Sequence, residues 1–130
     1  MARILALNPP FNGMSMIVNV LGRVGPSEPN SPDDVRVVQR LLQMASRGKA
    51  FAASIGVPQA TGRFDAVTGF WIFDVQASFK HQIVDGVVSP AHGTHYAPTG
   101  GIWTIVLFND FAKRTSPAEY AALLAESTAS

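Results

Sequence analysis

A polar turn that runs directly into a strongly apolar helix constrains the fold of this chain more than any other feature of its sequence. The stretch from Thr61 to Lys80 reads TGRFDAVTGFWIFDVQASFK, and Asp65 is the expected N-cap of its helix. Apolar side chains recur there every four residues, at Val67, Trp71, Val75 and Phe79. Phe70 and Phe73 widen the apolar face, so we expect this helix to be buried on more than one side.

Gln39 and Gln76 each lie on an otherwise apolar helix face. A buried amide that stays unpaired costs about 1–3 kcal/mol, so each side chain must find partners, most simply the backbone of a neighbouring turn. We therefore predict that Gln76 is a structural clamp between its helix and a loop. Contact with a ligand is the alternative.

Length and composition describe one small domain without strong charge. The chain has 130 residues, no cysteine and a net charge of +1, and 47% of its residues are hydrophobic. These numbers exclude a disulfide framework and a thiolate metal site, and they provide no long-range field for nucleic acid or an anionic membrane. The low charged fraction favours burial against partners.

Other segments predict further elements. Residues 1–30 are predicted to be extended, with one short strand from Met16 to Leu21. A helix is expected to begin at Ser31-Pro32 and to end near Gly48. Residues 91–101 form a long Gly/Pro-rich loop, and residues 102–111 fit a strand or a buried helix equally well. A last helix is expected to begin at Ser116-Pro117 and to fray in the tail ESTAS.

The beginning of the chain has neither a secretory leader pattern nor an apolar run of about 20 residues that could span a bilayer. We expect synthesis in the cytoplasm without a signal peptide. A destination in the periplasm or cell wall would then require a secretion or phage apparatus.

Three motifs resemble, in order and spacing, those of peptidoglycan-binding-like domains, which are three-helix modules found beside cell-wall hydrolases. They are SPDDVRVVQRLL, TGRFDAVTGFWIFDVQ and VDGVVSP.

In the first, Val35, Gln39 and Leu42 match the family's aliphatic–Gln–Leu signature. In the second, Gly62, Phe64 and Thr68 match its turn, and Val75 and Gln76 match its Phe-Gln pair. In the third, Asp85, Gly86 and Pro90 match the turn before the last helix. Thr61, Asp65, Val75 and Ser89 depart from the family pattern.

The resemblance implies a mainly α fold, a compact three-helix peptidoglycan-binding-like module with a short N-terminal strand, a long Gly/Pro loop and a C-terminal helix. We expect an extended segment at 1–30, the module at 31–112, and a C-terminal helix with its tail at 113–130. The N-terminal segment also resembles variants that stand alone near phage-tail and type VI secretion components.

Candidate ligand-binding residues follow from the motif turns and from aromatic side chains close to them. They are Arg63, Asp65, Thr68, Asp85, Tyr96 and Trp103. Aromatic rings beside Asp, Arg and Thr suit sugars, because the C–H faces of a sugar stack on rings while its hydroxyls form hydrogen bonds. The alternatives are that the two aspartates only cap a helix and a turn, and that Trp103 belongs to the core.

Catalytic and metal chemistry have weaker support. His92 and His95, with Asp85 nearby, could form a two-His-one-carboxylate metal site, but the His-x-x-His spacing lies on a Gly/Pro loop and not on a helix. The third histidine is His81. No GxSxG nucleophile elbow occurs. We predict a non-enzyme with no catalytic residues, no metal and no cofactor.

The expected function is a non-catalytic peptidoglycan-binding-type module inside a larger cell-wall-associated, phage-like or secretion assembly. Its expected partners are peptidoglycan or a muropeptide, together with a protein partner or further copies of the chain, but neither nucleic acid nor membrane. The first alternative is a protein–protein adaptor or structural subunit that has lost glycan binding. The second is a small metal-dependent cell-wall hydrolase.

Overall fold

The computed structural model describes residues 3–48, 55–79, 83–98 and 100–129. Helices predominate in these ranges, and one two-stranded antiparallel sheet accompanies them. The strands are β1 (Arg3–Phe11) and β2 (Met14–Asn19). The helices are α1 (Pro32–Ser46), α2 (Ala66–Ala77), α3 (Thr104–Thr115) and α4 (Pro117–Ala129). The predicted predominance of helices is thus confirmed, and the two strands make the fold a mixed α/β one.

One continuous core joins the hairpin to all four of these helices. Its largest fully buried apolar side chains include Ile17, Leu41, Leu42, Trp71, Ile72, Ile105 and Phe108. Helix α3 lies between α1 and β2 and contacts both. The ambiguous run 102–111 is therefore part of a buried helix, because α1 on one side and the hairpin on the other cover its apolar residues.

The prediction of one N-terminal strand is wrong, since β1 and β2 form a hairpin. Phe11 pairs with Met14 across a two-residue turn, in which Asn12 has φ 48° and Gly13 has φ 79°. Positive φ at both central residues is the geometry that matches the twist of paired strands, and Asn-Gly adopts it readily. This dipeptide is a sequence signal for a hairpin. The sequence prediction treated it only as an interruption of the apolar run and therefore missed β1.

Side chains from other elements hold the outer edge of β2. Asn109 of α3 accepts a hydrogen bond from the Val18 backbone N–H at 2.9 Å and donates one to the Val18 carbonyl at 2.9 Å. The Asp34 carboxylate of α1 accepts from the backbone N–H groups of Leu21 and Gly22 at 2.8 and 3.0 Å. These bonds connect the N-terminal segment to the helical core.

Helix ends follow the sequence signals in part. The Asp65 side chain accepts from the Thr68 N–H at 2.8 Å, which confirms the N-cap of α2. Ser31 makes no side-chain capping bond, although Pro32 begins α1 as expected. Helix α4 begins at Pro117 as predicted and extends to Ala129.

The expectation that α2 is covered on more than one side is wrong. Trp71, Ile72 and Val75 are fully buried, but Phe70 and Phe73 are 46% and 55% exposed. The helix is apolar around its circumference, yet within the described residues only one side of it packs into the core. Its aromatic outer face lies at the surface.

Gln39 of α1 connects that helix to the turn before α2. Its Oε1 accepts from the Gly62 N–H at 2.9 Å, and its Nε2 donates to the Arg63 carbonyl at 3.0 Å and to Thr68 Oγ1 at 3.1 Å. Gly62 has φ +79°, and a Cβ there would lie 2.7 Å from the Arg36 guanidinium. The positive φ therefore favours glycine at this position.

Gln76 of α2 repeats this arrangement at the turn that leads toward α3. Its Oε1 accepts from the Gly86 N–H at 2.8 Å, and its Nε2 lies 3.1 Å from Asp85 Oδ1, the Val87 carbonyl and Thr104 Oγ1. Gly86 has φ +75°. The structural role predicted for Gln76 is confirmed. We call each of these arrangements, centred on Gln39 or Gln76, a glutamine clamp.

Replacing Gln76 with alanine removes every bond of the second clamp. We expect Gln76→Ala to lower the free energy of unfolding by about 2–3 kcal/mol, because the Gly86 N–H and the Val87 carbonyl lose a buried partner. Gln59 lies in an exposed loop, so the control Gln59→Ala should change stability by less than about 0.5 kcal/mol. Urea unfolding measures both values, and equal losses would contradict the clamp.

Tyr120 of α4 closes the network around Asn109. Its hydroxyl donates to Asn109 Oδ1 at 2.6 Å, and its side chain is buried. Burial, together with the nearby charge of Asp110, raises the pKa of Tyr120 well above its ordinary value of 10.0. The native state therefore keeps this phenol protonated at pH values where the unfolded chain releases the proton.

The raised pKa of Tyr120 predicts an alkaline loss of stability. Below pH 10 both states hold the proton, whereas above pH 10 only the native state does, so the free energy of unfolding should fall as pH rises. The slope should approach about 1.4 kcal/mol per pH unit. Tyr120→Phe should remove this slope, and Tyr96→Phe, at the exposed second tyrosine, should retain it. Unfolding curves between pH 8 and 11 test the difference.

Candidate functional site

A short backbone bridge brings the segment before α1 onto the turn after α2. Val24 and Val88 exchange hydrogen bonds of 3.0 and 2.8 Å between their N–H and carbonyl groups. These two backbone segments approach so closely that a Cβ on Gly25 would lie 2.8 Å from the Gly86 carbonyl oxygen. The bridge places Arg23 beside the Asp85 turn, although 62 positions separate these residues in the sequence.

The loop that leads into α3 is also held by backbone and side-chain bonds. The Asn19 side chain donates to the Ala91 carbonyl at 2.8 Å and accepts from the Ala91 N–H at 3.1 Å. Tyr96 and Ile102 form an isolated antiparallel bridge, and the Trp103 N–H donates to the His95 carbonyl at 3.1 Å. The loop therefore has a defined path that ends at the first turn of α3.

Between these two loops lies an open cleft of about 380 Å³, which we call the Asp85 cleft. Arg23 and Asp85 contribute opposite charges to it, and His92, Ser89, Thr104 and Trp103 contribute further polar or aromatic groups. Ile83, Val87, Ala97, Pro98 and Ile102 supply apolar surface. A concave apolar surface with a few convergent polar groups is typical of a small-ligand site.

The second glutamine clamp positions the polar groups of the Asp85 cleft. Asp85 Oδ1 accepts from Gln76 Nε2 at 3.1 Å and from the Val87 N–H at 3.0 Å. Thr104 Oγ1 accepts from the same Gln76 amide at 3.1 Å. A substitution in the core of α2 would therefore displace groups on the cleft surface.

Trp103 forms part of the cleft wall and is the N-cap residue of α3. Its ring contacts the His92 ring, with centroids 4.9 Å apart. Its Nε1 is buried and has no hydrogen-bond acceptor among the described residues. The ring is only partly buried, so Trp103 contributes to both the core and the cleft.

Of the six residues predicted to bind a ligand, Asp85 and Trp103 line this cleft. Arg63, Asp65 and Thr68 belong instead to the turn that Gln39 holds. Thr68 is fully buried, and its hydroxyl accepts from Gln39, so it is a scaffold residue. Tyr96 is 57% exposed, and its ring packs 4.2 Å from the His95 ring. Among the described residues, two members of the predicted set thus line the cleft, three lie at the turn that Gln39 holds, and Tyr96 belongs to neither group.

Sequence reasoning missed Arg23, His92 and Thr104 as cleft residues. The Val24–Val88 bridge places Arg23 there, and no motif in the sequence predicts that pairing. His92 lies inside the predicted loop and Thr104 shortly after it, so their closeness in sequence to Trp103 was the available signal.

The metal site considered from the sequence is not formed by the residues that the structure describes. Within these residues, no three His, Asp or Glu side chains lie close enough to hold one ion. His95 is buried beside Phe11, with ring centroids 5.0 Å apart, whereas His92 is exposed at the cleft. His81 lies outside the described residues.

Among the described residues, no helix has the length and apolar character required to cross a membrane. Comparisons of the chain with protein-family models, with curated proteins and with solved structures find no match.

Proposed function

We propose that this protein is a non-catalytic peptidoglycan-binding-type module that acts within a larger cell-wall-associated, phage-like or secretion assembly. The observation that carries the proposal is the Asp85 cleft, which lies on the third of the three motifs that resemble the family. The glutamine clamps add support, because each uses a motif glutamine, Gln39 or Gln76, to hold a motif glycine, Gly62 or Gly86.

The cleft chemistry suits a cell-wall fragment. Arg23 and Asp85 can bind the carboxylate and ammonium groups of a peptide stem, and Thr104 and Ser89 can bond to amides or sugar hydroxyls. Ile83 and Ile102 offer apolar surface to methyl groups. The contacts of Asp85 and Thr104 with Gln76 are those of a preorganised binding surface. They favour recognition over bond cleavage.

A protein–protein adaptor or structural subunit is the second candidate, and the exposed apolar surface favours it. Phe70, Phe73, Ile83 and Val84 are each more than a third exposed. One shallow wall site binds weakly, and such modules gain effect through multivalency or by tethering an enzyme. A module with this apolar surface would therefore act best when docked on other subunits.

A small metal-dependent hydrolase ranks last. Its best ligands in the sequence were the histidines near Asp85, and the structure separates two of them. His95 packs against Phe11 and His92 against Trp103. Because the two histidines pack against different residues, the described residues contain no set of metal ligands for a hydrolase.

Binding to purified sacculi tests the proposal. We expect the wild-type protein to sediment with sacculi in low salt, and Arg23→Gln or Asp85→Asn to weaken binding about tenfold, because each removes a charge from the cleft. Asn retains an oxygen for the bonds from Gln76 and Val87, so the fold should survive. Arg63→Gln and Asp65→Asn repeat the same changes at the other turn and should leave binding unchanged.

Two results would contradict the proposal in different ways. A wild-type protein that remains in the supernatant would exclude wall binding and leave the adaptor function. Wall binding that all four variants retain equally would exclude the Asp85 cleft as the site.

A further inference from the structure

The two edges of the hairpin are treated differently by the rest of the fold. At the outer edge of β2, the Asn109 side chain bonds to both backbone groups of Val18. No hydrogen bond of this kind reaches the outer edge of β1 from the described residues. An open strand edge is a template for pairing with another strand.

The contacts of Val18 reveal which backbone groups of β1 point outward. The N–H and C=O of one residue in a strand point to the same side, and both groups of Val18 point away from β1, toward Asn109. The pair Ile4–Val18 is therefore a non-hydrogen-bonded pair, and so is Ala6–Met16, two residues along the ladder. It follows that Ile4 and Ala6 direct their N–H and C=O groups away from the sheet.

We propose that β1 pairs antiparallel with β1 of a second copy of this chain, about a twofold axis at Leu5, to form a four-stranded sheet across a dimer. Ile4 of each copy then faces Ala6 of the other, so all four outward N–H groups and all four outward carbonyls of these residues are opposite a partner. A third and fourth strand also relieve the weakness of a two-stranded sheet. This inference is independent of any cell-wall binding.

The prolines of β1 agree with this register. With Leu5 opposite Leu5, Arg3 of one copy is opposite Leu7 of the other, so Pro9 and Pro10 lie beyond the paired span. Proline has no N–H and interrupts a ladder, so a register that moves it into the span would lose bonds.

Charge and side-chain character also suit a second copy as the occupant. Leu5 is opposite Leu5 and Ile4 is opposite Ala6, which are apolar cross-strand pairs. The two Arg3 residues are offset by four positions, or about 14 Å along the strands, which exceeds the screening length of about 8–10 Å. The net charge of +1 per chain adds little repulsion between copies.

Sedimentation equilibrium with an edge variant tests the dimer. The wild-type chain should dimerise with a dissociation constant below about 100 µM. Ala6→Pro should raise the dissociation constant of the dimer at least about thirtyfold, because it removes one outward N–H from each copy. It removes no bond to β2. Ala6→Val keeps the N–H and should dimerise like the wild type. A wild-type mass that stays at 13.9 kDa up to about 500 µM, or a dimer that Ala6→Pro leaves intact, overturns the proposal.

If Ala6→Pro fails to fold, disulfide cross-linking tests the proposed dimer instead. The chain contains no cysteine, so one introduced cysteine can only pair with its copy. Leu5→Cys lies on the proposed twofold, at a non-hydrogen-bonded pair where Cβ atoms approach within about 5 Å, and should form a covalent dimer on mild oxidation. Met16→Cys, on β2, is the control and should remain mostly monomeric. Equal cross-linking of the two variants contradicts the proposed register.

Discussion

Buried side-chain amides that bond to backbone hold this fold together. The turns at Gly62 and Gly86 each contain a glycine at positive φ. Gln39 and Gln76 hold them by accepting from a glycine N–H and donating to a carbonyl in the same turn. Asn109 does the same for the edge of β2. Each amide replaces the backbone partner that regular structure would supply, which is why an irregular chain can stay close to a helical core.

The Asp85 cleft depends on this same principle. Its walls come mostly from loops, together with Thr104 of α3, and one bridge, between Val24 and Val88, connects the loops on one side. On the other side, Gln76 bonds both to Asp85 and to Thr104 at the start of α3. These bonds connect the cleft to both α2 and α3. A surface of this kind suits recognition by shape and charge, which agrees with the proposed binding function.

The surface of the protein divides into regions with different uses. The outer face of α2 exposes Phe70 and Phe73, the Asp85 cleft contains the opposite charges of Arg23 and Asp85, and the outer edge of β1 presents backbone groups. A binding module that works alone has little need for the first and third of these. Together they are consistent with a chain that binds one ligand while it contacts other subunits.

The sequence by itself determined the local structure wherever the signal is local. Asp65 caps α2, Pro32 and Pro117 begin helices, and the spacing of Trp71 and Val75 defines a buried face. Gln76 could be identified as a structural residue because a lone amide on an apolar face has to be paired. The dipeptide Asn12-Gly13 is likewise a local signal for the turn of the hairpin. Only the tertiary structure decided that residues 102–111 are helical, that Phe70 and Phe73 face outward, and that Arg23 meets the Asp85 turn. These outcomes depend on which surfaces meet across long stretches of chain, and the free energy of such contacts is not encoded in the spacing of neighbouring residues.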